Sequence, residues 1–141
     1  MVSIILAARN EAESIGRCLD CLLLQDYPSE SYEIIVADNG SSDQTLNIAQ
    51  QLMSEFDNID TLYLSQRGRG RALKQAWIDN GADILVYMDI DLSTGIESLT
   101  PLVDAIEHDG FDLAVGSRLL PASRVVGRSL KREILSRGYV F

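Results

Sequence analysis

Two aspartates one residue apart, Asp89 and Asp91, close the stretch "ILVYMDIDLST" at residues 84–94. An unbroken apolar run leads straight into them. Side chains alternate along a strand, so positions 89 and 91 are expected on one face. Two carboxylates that close repel, and something positive must offset the repulsion. A hard divalent cation shared with a phosphate-bearing ligand is one solution, with Ser93 or Thr94 adding a hydroxyl or a water contact. A plain strand end followed by a helix cap would also place acids and hydroxyls here.

Other polar groups recur at comparable positions. Asp38 ends the apolar run 32–38, where an acid can accept hydrogen bonds from a ribose hydroxyl or a base N–H. The turn after it, "NGSSDQT", supplies positive φ at Asn39-Gly40, and Ser42 or Asp43 is expected to cap the next helix. Glu11 follows the first apolar run, where it also suits the first turn of a helix. In "QRGRGRALKQA", Gly68 and Gly70 let backbone approach a ligand, and Arg69 adds charge beside a helix N-terminus. The P-loop pattern is absent, and so is a glycine fingerprint after the first strand. Arg132 and Ser136 are four apart on an expected helix, and Arg118 ends an expected strand. Three such donors suit a phosphate dianion, although a basic helix balancing an acidic body would carry the same residues.

The elements that must position these groups alternate strictly. Strands are expected at 2–7, 32–38, 60–64, 83–89 and 111–117, with helices over 10–25, after the Ser42 or Asp43 cap (Leu46, Ala49, Leu52 and Met53 its apolar face), over 70–81 and over 95–110, and another from about residue 129. Gly81 is expected to stop the third of these helices. Strands that are apolar on both faces, joined by helical crossovers, imply a parallel sheet with helices on either side. Ligands of such folds bind at the carboxyl ends of the strands. Here those ends read "ARNE", "ADNGSSD", "SQRGRGR", "DIDLST" and "GSR", and all five should converge on one rim.

Bulk properties narrow the classes. The 141 residues suit one domain, 46 % hydrophobic and 23 % charged, with a formal net charge of −9. That balance argues against a general nucleic-acid surface, and the clustered arginines argue for a small anionic ligand. No run approaches the ~20 apolar residues of a membrane span, no signal peptide is visible, and a cytoplasmic setting is expected. Cys18 and Cys21 form C-x-x-C inside an amphipathic helix, so they are expected to be ordinary thiols. His108, near a helix end, is expected to cap or face solvent. The chain ends on the apolar "GYVF", and a single domain over 1–141, truncated at its C-terminus, is expected.

The set "SIILAARNEAESI", "YEIIVADNGSSDQT", "RGRGRAL" and "VYMDIDLS", in that order and spacing, resembles the family 2 glycosyltransferases of GT-A fold. The tail "LAVGSRLLPASRVVGRSLKREILSRGY" is similar to the polyprenyl-phosphate branch, which includes dolichol-phosphate mannose and glucose synthases. The resemblance implies a Rossmann-like α/β three-layer sandwich with a mostly parallel sheet. It implies that Ala7, Arg9 and Glu11 line the nucleotide pocket with Arg69, and that Asp38 reads the base. Asp89 and Asp91 would hold Mg²⁺ or Mn²⁺ on the diphosphate of a GDP- or UDP-linked sugar. Arg118, Arg132 and Ser136 would grip the phosphate of a polyprenyl acceptor, at the cytoplasmic face of a membrane. The chain departs from the pattern at Ala7 and Arg9, where the family has Pro and Tyr, at Asn39 for a second acid, at Ser93 for Gln, and at Arg128 for Trp.

The implied reaction is metal-dependent transfer with inversion at the sugar's C1. A lipid phosphate needs no general base, whereas a sugar hydroxyl acceptor does. Two other readings stand beside it. One is a module that binds nucleotide without turnover. The other is a haloacid-dehalogenase-type phosphatase with D-x-D-x-[TV], although the downstream acidic pair of that family is missing after Asp91.

Overall fold

The computed structural model describes residues 1–78, 80–93, 95–117, 120 and 123. Four parallel strands form one sheet: β1 (Val2–Ala8), β2 (Tyr32–Asp38), β3 (Ile59–Tyr63) and β4 (Ile84–Met88). Their order is β3-β2-β1-β4. The register sets Ala8 beside Asp38, Asp38 beside Tyr63, and Leu6 beside Met88, so the four carboxyl ends lie near one level. The chain runs outward from β1 through β2 to β3, then returns to the other side of β1 for β4. That reversal opens a crevice between β1 and β4 at the carboxyl ends, where open α/β sheets take ligands.

Alternation divides the core between two faces. Ile4, Leu6 and Ala8 of β1 pack with Ile34 and Val36 of β2 against three helices. These are α1 (Ile15–Leu23), α2 (Thr45–Glu55) and α4 (Leu99–Glu107). In α1 the buried residues are Ile15, Cys18, Leu19 and Leu22, spaced for one helical face. On the opposite side, Ile5 and Ala37 pack against Ala72 and Ala76 of α3 (Arg69–Ile78). Small residues let α3 lie close to the sheet. Helices on both faces of a parallel sheet make the expected three-layer α/β sandwich.

Several expectations shift. The first helix begins at Ile15 rather than near residue 10, because the backbone of residues 10–12 is used elsewhere (below). Pro101 sits in the first turn of α4, where its missing N–H costs no helical hydrogen bond. Gly81 does not end α3, which stops at Ile78. Asn80 caps the region instead: its side-chain N–H groups donate to Ser3 Oγ at 2.8 Å and Glu33 Oε1 at 3.0 Å, while its oxygen accepts the Ala82 N–H at 2.7 Å. The expected strand at 111–117 is not one. These residues pair with no ladder among the described residues, and Leu113 and Val115 are 76 % and 71 % exposed. They line a cavity of about 380 Å³ opposite the outer edge of β4. An apolar run becomes a strand only when an edge accepts its backbone, and this segment stands off that edge.

Candidate functional site

The rim is built first by the loops after β1 and β2, which are laced together. Asn10 adopts φ +54°, a left-handed conformation that Asn tolerates better than most residues. Its N–H donates to Ser41 Oγ at 3.0 Å, and its side-chain oxygen accepts the Ser42 N–H at 2.8 Å. Glu11 N–H donates to Thr45 Oγ1 at 2.8 Å, and Ala12 N–H to Asp43 Oδ2 at 3.2 Å. Thr45, fully buried, also donates its hydroxyl to Asp43 Oδ1 at 2.5 Å. This hydroxyl and nearby backbone N–H groups hold the Asp43 carboxyl below the usual range. Asp43 thus serves the helix start as expected, although the position flanking α2 is Gln44.

Asp38 is fully buried at the end of β2. Its Oδ2 accepts the Ser41 N–H at 3.1 Å, while Oδ1 is buried with no hydrogen-bond partner among the described residues. Leaving a buried acceptor unsatisfied costs about 1–3 kcal/mol. A donor brought by a ligand would remove that cost. Beside it, Asn39 is buried and accepts the Gly68 N–H at 2.8 Å, which ties β2 to the turn before α3. Gly68 has φ +148°, a region closed to side chains. Here the glycine serves conformation.

At the end of β4 the two acids diverge. The strand stops at Met88, so strand alternation does not strictly carry Asp89 and Asp91. Both are nonetheless exposed while Ile90 between them is buried. Asp89 Oδ1 accepts the Tyr87 hydroxyl at 2.6 Å and lies 3.3 Å from Arg69 Nη1 at the start of α3. Asp91 Oδ1 accepts the Ser93 N–H at 3.0 Å, in a turn where Leu92 takes φ +51°. Ser93 therefore contributes backbone here. Burial, with the Asp89 hydrogen bond and charge behind it, pushes the Tyr87 phenol up to about 12. Cys18 in α1 is pushed up to about 11, first by burial, then by the charges of Cys21 and Asp91. Asp89 thus looks to α3, whereas the field of Asp91 reaches α1.

Other expected residues fall as follows. Ala7 is half-buried against the α3 side of the sheet, Arg9 is exposed just past β1, and Glu11 is partly buried in the laced loop. Arg118, Arg132 and Ser136 lie outside the described residues, as do Thr94 and Arg128. Cys18 and Cys21 are free thiols, and His108 is exposed at the end of α4, 3.9 Å from Asp104. Sequence reasoning missed Tyr87 and the tie made by Asn39. Tyr87 carried a usable signal, since it stands two residues before Asp89 and alternation puts both on one side.

Among the described residues no three His, Cys, Asp or Glu side chains converge as a metal cage. The oxygen donors present suit a hard cation that takes one or two carboxylates and completes its shell with phosphate oxygens and water, as Mg²⁺ does. Asp91, and Asp89 through Oδ2, are the groups that fit.

The fold and rim define a parallel α/β domain with a ligand crevice at its switch point. The chain belongs to glycosyl transferase family 2, whose model matches residues 3–139. It is 39 % identical over 142 residues to glycosyltransferase AglD of Haloferax volcanii, spanning 98 % of this chain and 23 % of that protein. It is 30 % identical over 141 residues to a dolichol-phosphate mannosyltransferase of Pyrococcus furiosus, spanning 99 % of this chain and 39 % of that protein. The chain therefore spans well under half the length of these relatives. Among solved structures it resembles the mannosyltransferase PcManGT of Pyrobaculum calidifontis in complex with GDP-Man and Mn²⁺, with TM-score 0.60 and 29 % identity over 64 % of this chain and 27 % of that one. The domain has the GT-A fold. Family membership leaves no place for the phosphatase reading. No helix among the described residues is long and apolar enough to cross a membrane.

Proposed function

We propose that this domain moves a sugar from a nucleoside-diphosphate donor to a polyprenyl phosphate, inverting the anomeric carbon and using a divalent cation. The observation that carries the reading is the crevice itself: a buried, unpartnered Asp38 Oδ1 at the end of β2, and Asp89 and Asp91 at the end of β4, two strands away. Asp38 would accept a base or ribose donor, with Ala7, Arg9 and Glu11 along the wall of that pocket. Asp91, with Asp89, would hold the cation that binds the diphosphate. The PcManGT complex with GDP-Man and Mn²⁺ and the dolichol-phosphate mannosyltransferase relative support the donor, metal and acceptor classes.

The chemistry needs little from the protein beyond position and charge. An acceptor phosphate oxygen forms the new bond to C1 as the bond from C1 to the diphosphate oxygen breaks, and its electron pair leaves with the diphosphate. A bound Mg²⁺ or Mn²⁺ supplies positive charge where that negative charge develops. Arg69 stands at the same rim and adds to that field. The phosphate nucleophile is already anionic, so no side chain has to remove a proton. Arg118, Arg132 and Ser136 are the residues we assign to the acceptor phosphate.

Calorimetric titration of UDP and GDP, with and without Mn²⁺, on the native chain and on Asp91→Ala tests the reading. Metal-dependent binding that disappears in Asp91→Ala is the expected result, and the tighter nucleotide names the base. Metal-dependent binding that survives the substitution would refute the role of Asp91. No binding of either nucleotide would overturn the donor-site reading for this chain.

A further inference from the structure

We propose that Tyr87 is a positioning residue of the donor site, its hydroxyl acting with Arg69 to hold Asp89 Oδ1 so that Oδ2 is presented to the divalent cation that would carry the donor diphosphate. The inference rests on the function proposed above. β4 reads Ile84, Leu85, Val86, Tyr87, Met88, and Tyr87 is its only residue with a polar side-chain group. Phenylalanine would fill the same half-buried space, so packing alone does not call for the hydroxyl. The 2.6 Å separation from Asp89 Oδ1 is that of a charge-assisted O–H···O⁻ bond.

Arg69 reaches the same oxygen at 3.3 Å, but its side chain is 67 % exposed and that of Asp89 49 %. Such a pair is weak and does little to fix a geometry on its own. Tyr87 has two rotatable side-chain bonds, and its ring is held on the strand. It is the more rigid of the two anchors. With both donors on Oδ1, rotation of the carboxylate is restricted before any ligand arrives. Pre-organisation of that kind lowers the ordering cost of binding.

The test is Tyr87→Phe, followed by thermal unfolding, by calorimetry of GDP and UDP with and without Mn²⁺, and by a crystal structure of the variant. A positioning role predicts an unchanged unfolding temperature and Mn²⁺-dependent affinity weaker by about tenfold, with metal-free affinity within about twofold, since a bond to a charged group is lost without loss of packing. The variant crystal should show Asp89 turned from its place beside Arg69. Equal losses with and without metal would mark a structural role and overturn the proposal, as would native affinity in the variant. Should the native chain bind neither nucleotide, the donor-site reading fails by itself. The crystal structure then decides the Tyr87 role: Asp89 unmoved overturns it, Asp89 displaced supports it.

Discussion

Asn39 Oδ1 accepts the backbone N–H of Gly68 at 2.8 Å, so the end of β2 holds the turn from which α3 starts. Arg69, the next residue, owes its place near Asp89 to that turn. The bond joins residues 29 apart and is partly buried.

Asn39→Ala is expected to lower stability by about 1–2 kcal/mol, because the Gly68 N–H loses its acceptor in a partly buried setting. Asn39→Asp keeps an acceptor oxygen and should lie closer to the native chain. Urea unfolding midpoints of the three proteins check this. Equal midpoints would show that water replaces the side chain at no cost.

Asp38 separates stability from binding. Its buried carboxylate has one oxygen without a partner, so Asp38→Asn should fold at least as stably as the native chain. Nucleotide affinity should fall about tenfold or more, because a donor N–H then meets the ligand's own donor. Thermal unfolding and calorimetry on the same preparation measure both effects. Loss of both together would make Asp38 a structural residue.

Thr45 locks the first two loops. Its hydroxyl accepts from Glu11 N–H and donates to Asp43, so Thr45→Val should destabilise by about 1–2 kcal/mol while Thr45→Ser is milder. The Asp43 carboxyl lies below its ordinary range in the folded chain. Its contribution is therefore present above the unfolded aspartate range and is lost as pH falls through the lower folded value. The stability difference between the native chain and Asp43→Asn should therefore be full above that range and close only within it, as acid unfolding of both will show.

Cys18 makes an alkaline prediction. The folded thiol is pushed from 9.0 up to about 11 by burial, and then by the charges of Cys21 and Asp91. The unfolded thiol ionises first as pH rises. The stabilising difference is full below the unfolded value and is lost as pH climbs from 9.0 through about 11. Cys18→Val removes the titration, so its unfolding midpoint should fall less than the native one across that window. Alkylation near neutral pH should modify Cys21, which is partly exposed, and reach Cys18 only on unfolding.

Much of the rim was legible in sequence because each polar strand end follows an apolar run, and period-two burial requires the run to end where polarity begins. β1, β2, β3 and β4 were found this way with each end within one residue. Asp38, Asp89 and Asp91 came with them. Helix starts were less legible. The first turn after β1 looked helical, yet residues 10–12 give their N–H groups to Ser41, Thr45 and Asp43. The apolar run at 111–117 resembled a strand for the same reason the others did. Nothing local reveals that its backbone has no ladder partner among the described residues.

The sequence by itself determined the alternation of strand and helix, the face each apolar residue turns to the core, and the family to which the chain belongs. These follow from side-chain periodicity and motif order, which are local properties of the chain. Only the tertiary structure decided the strand order β3-β2-β1-β4, the unsatisfied oxygen of Asp38, and the meeting of Tyr87 and Arg69 on one oxygen of Asp89. Strand order is set by which edges pair, and the hydrogen bonds between distant loops are set by the register that pairing imposes. No local pattern encodes either one, because the free energy that selects them belongs to the packed sheet as a whole.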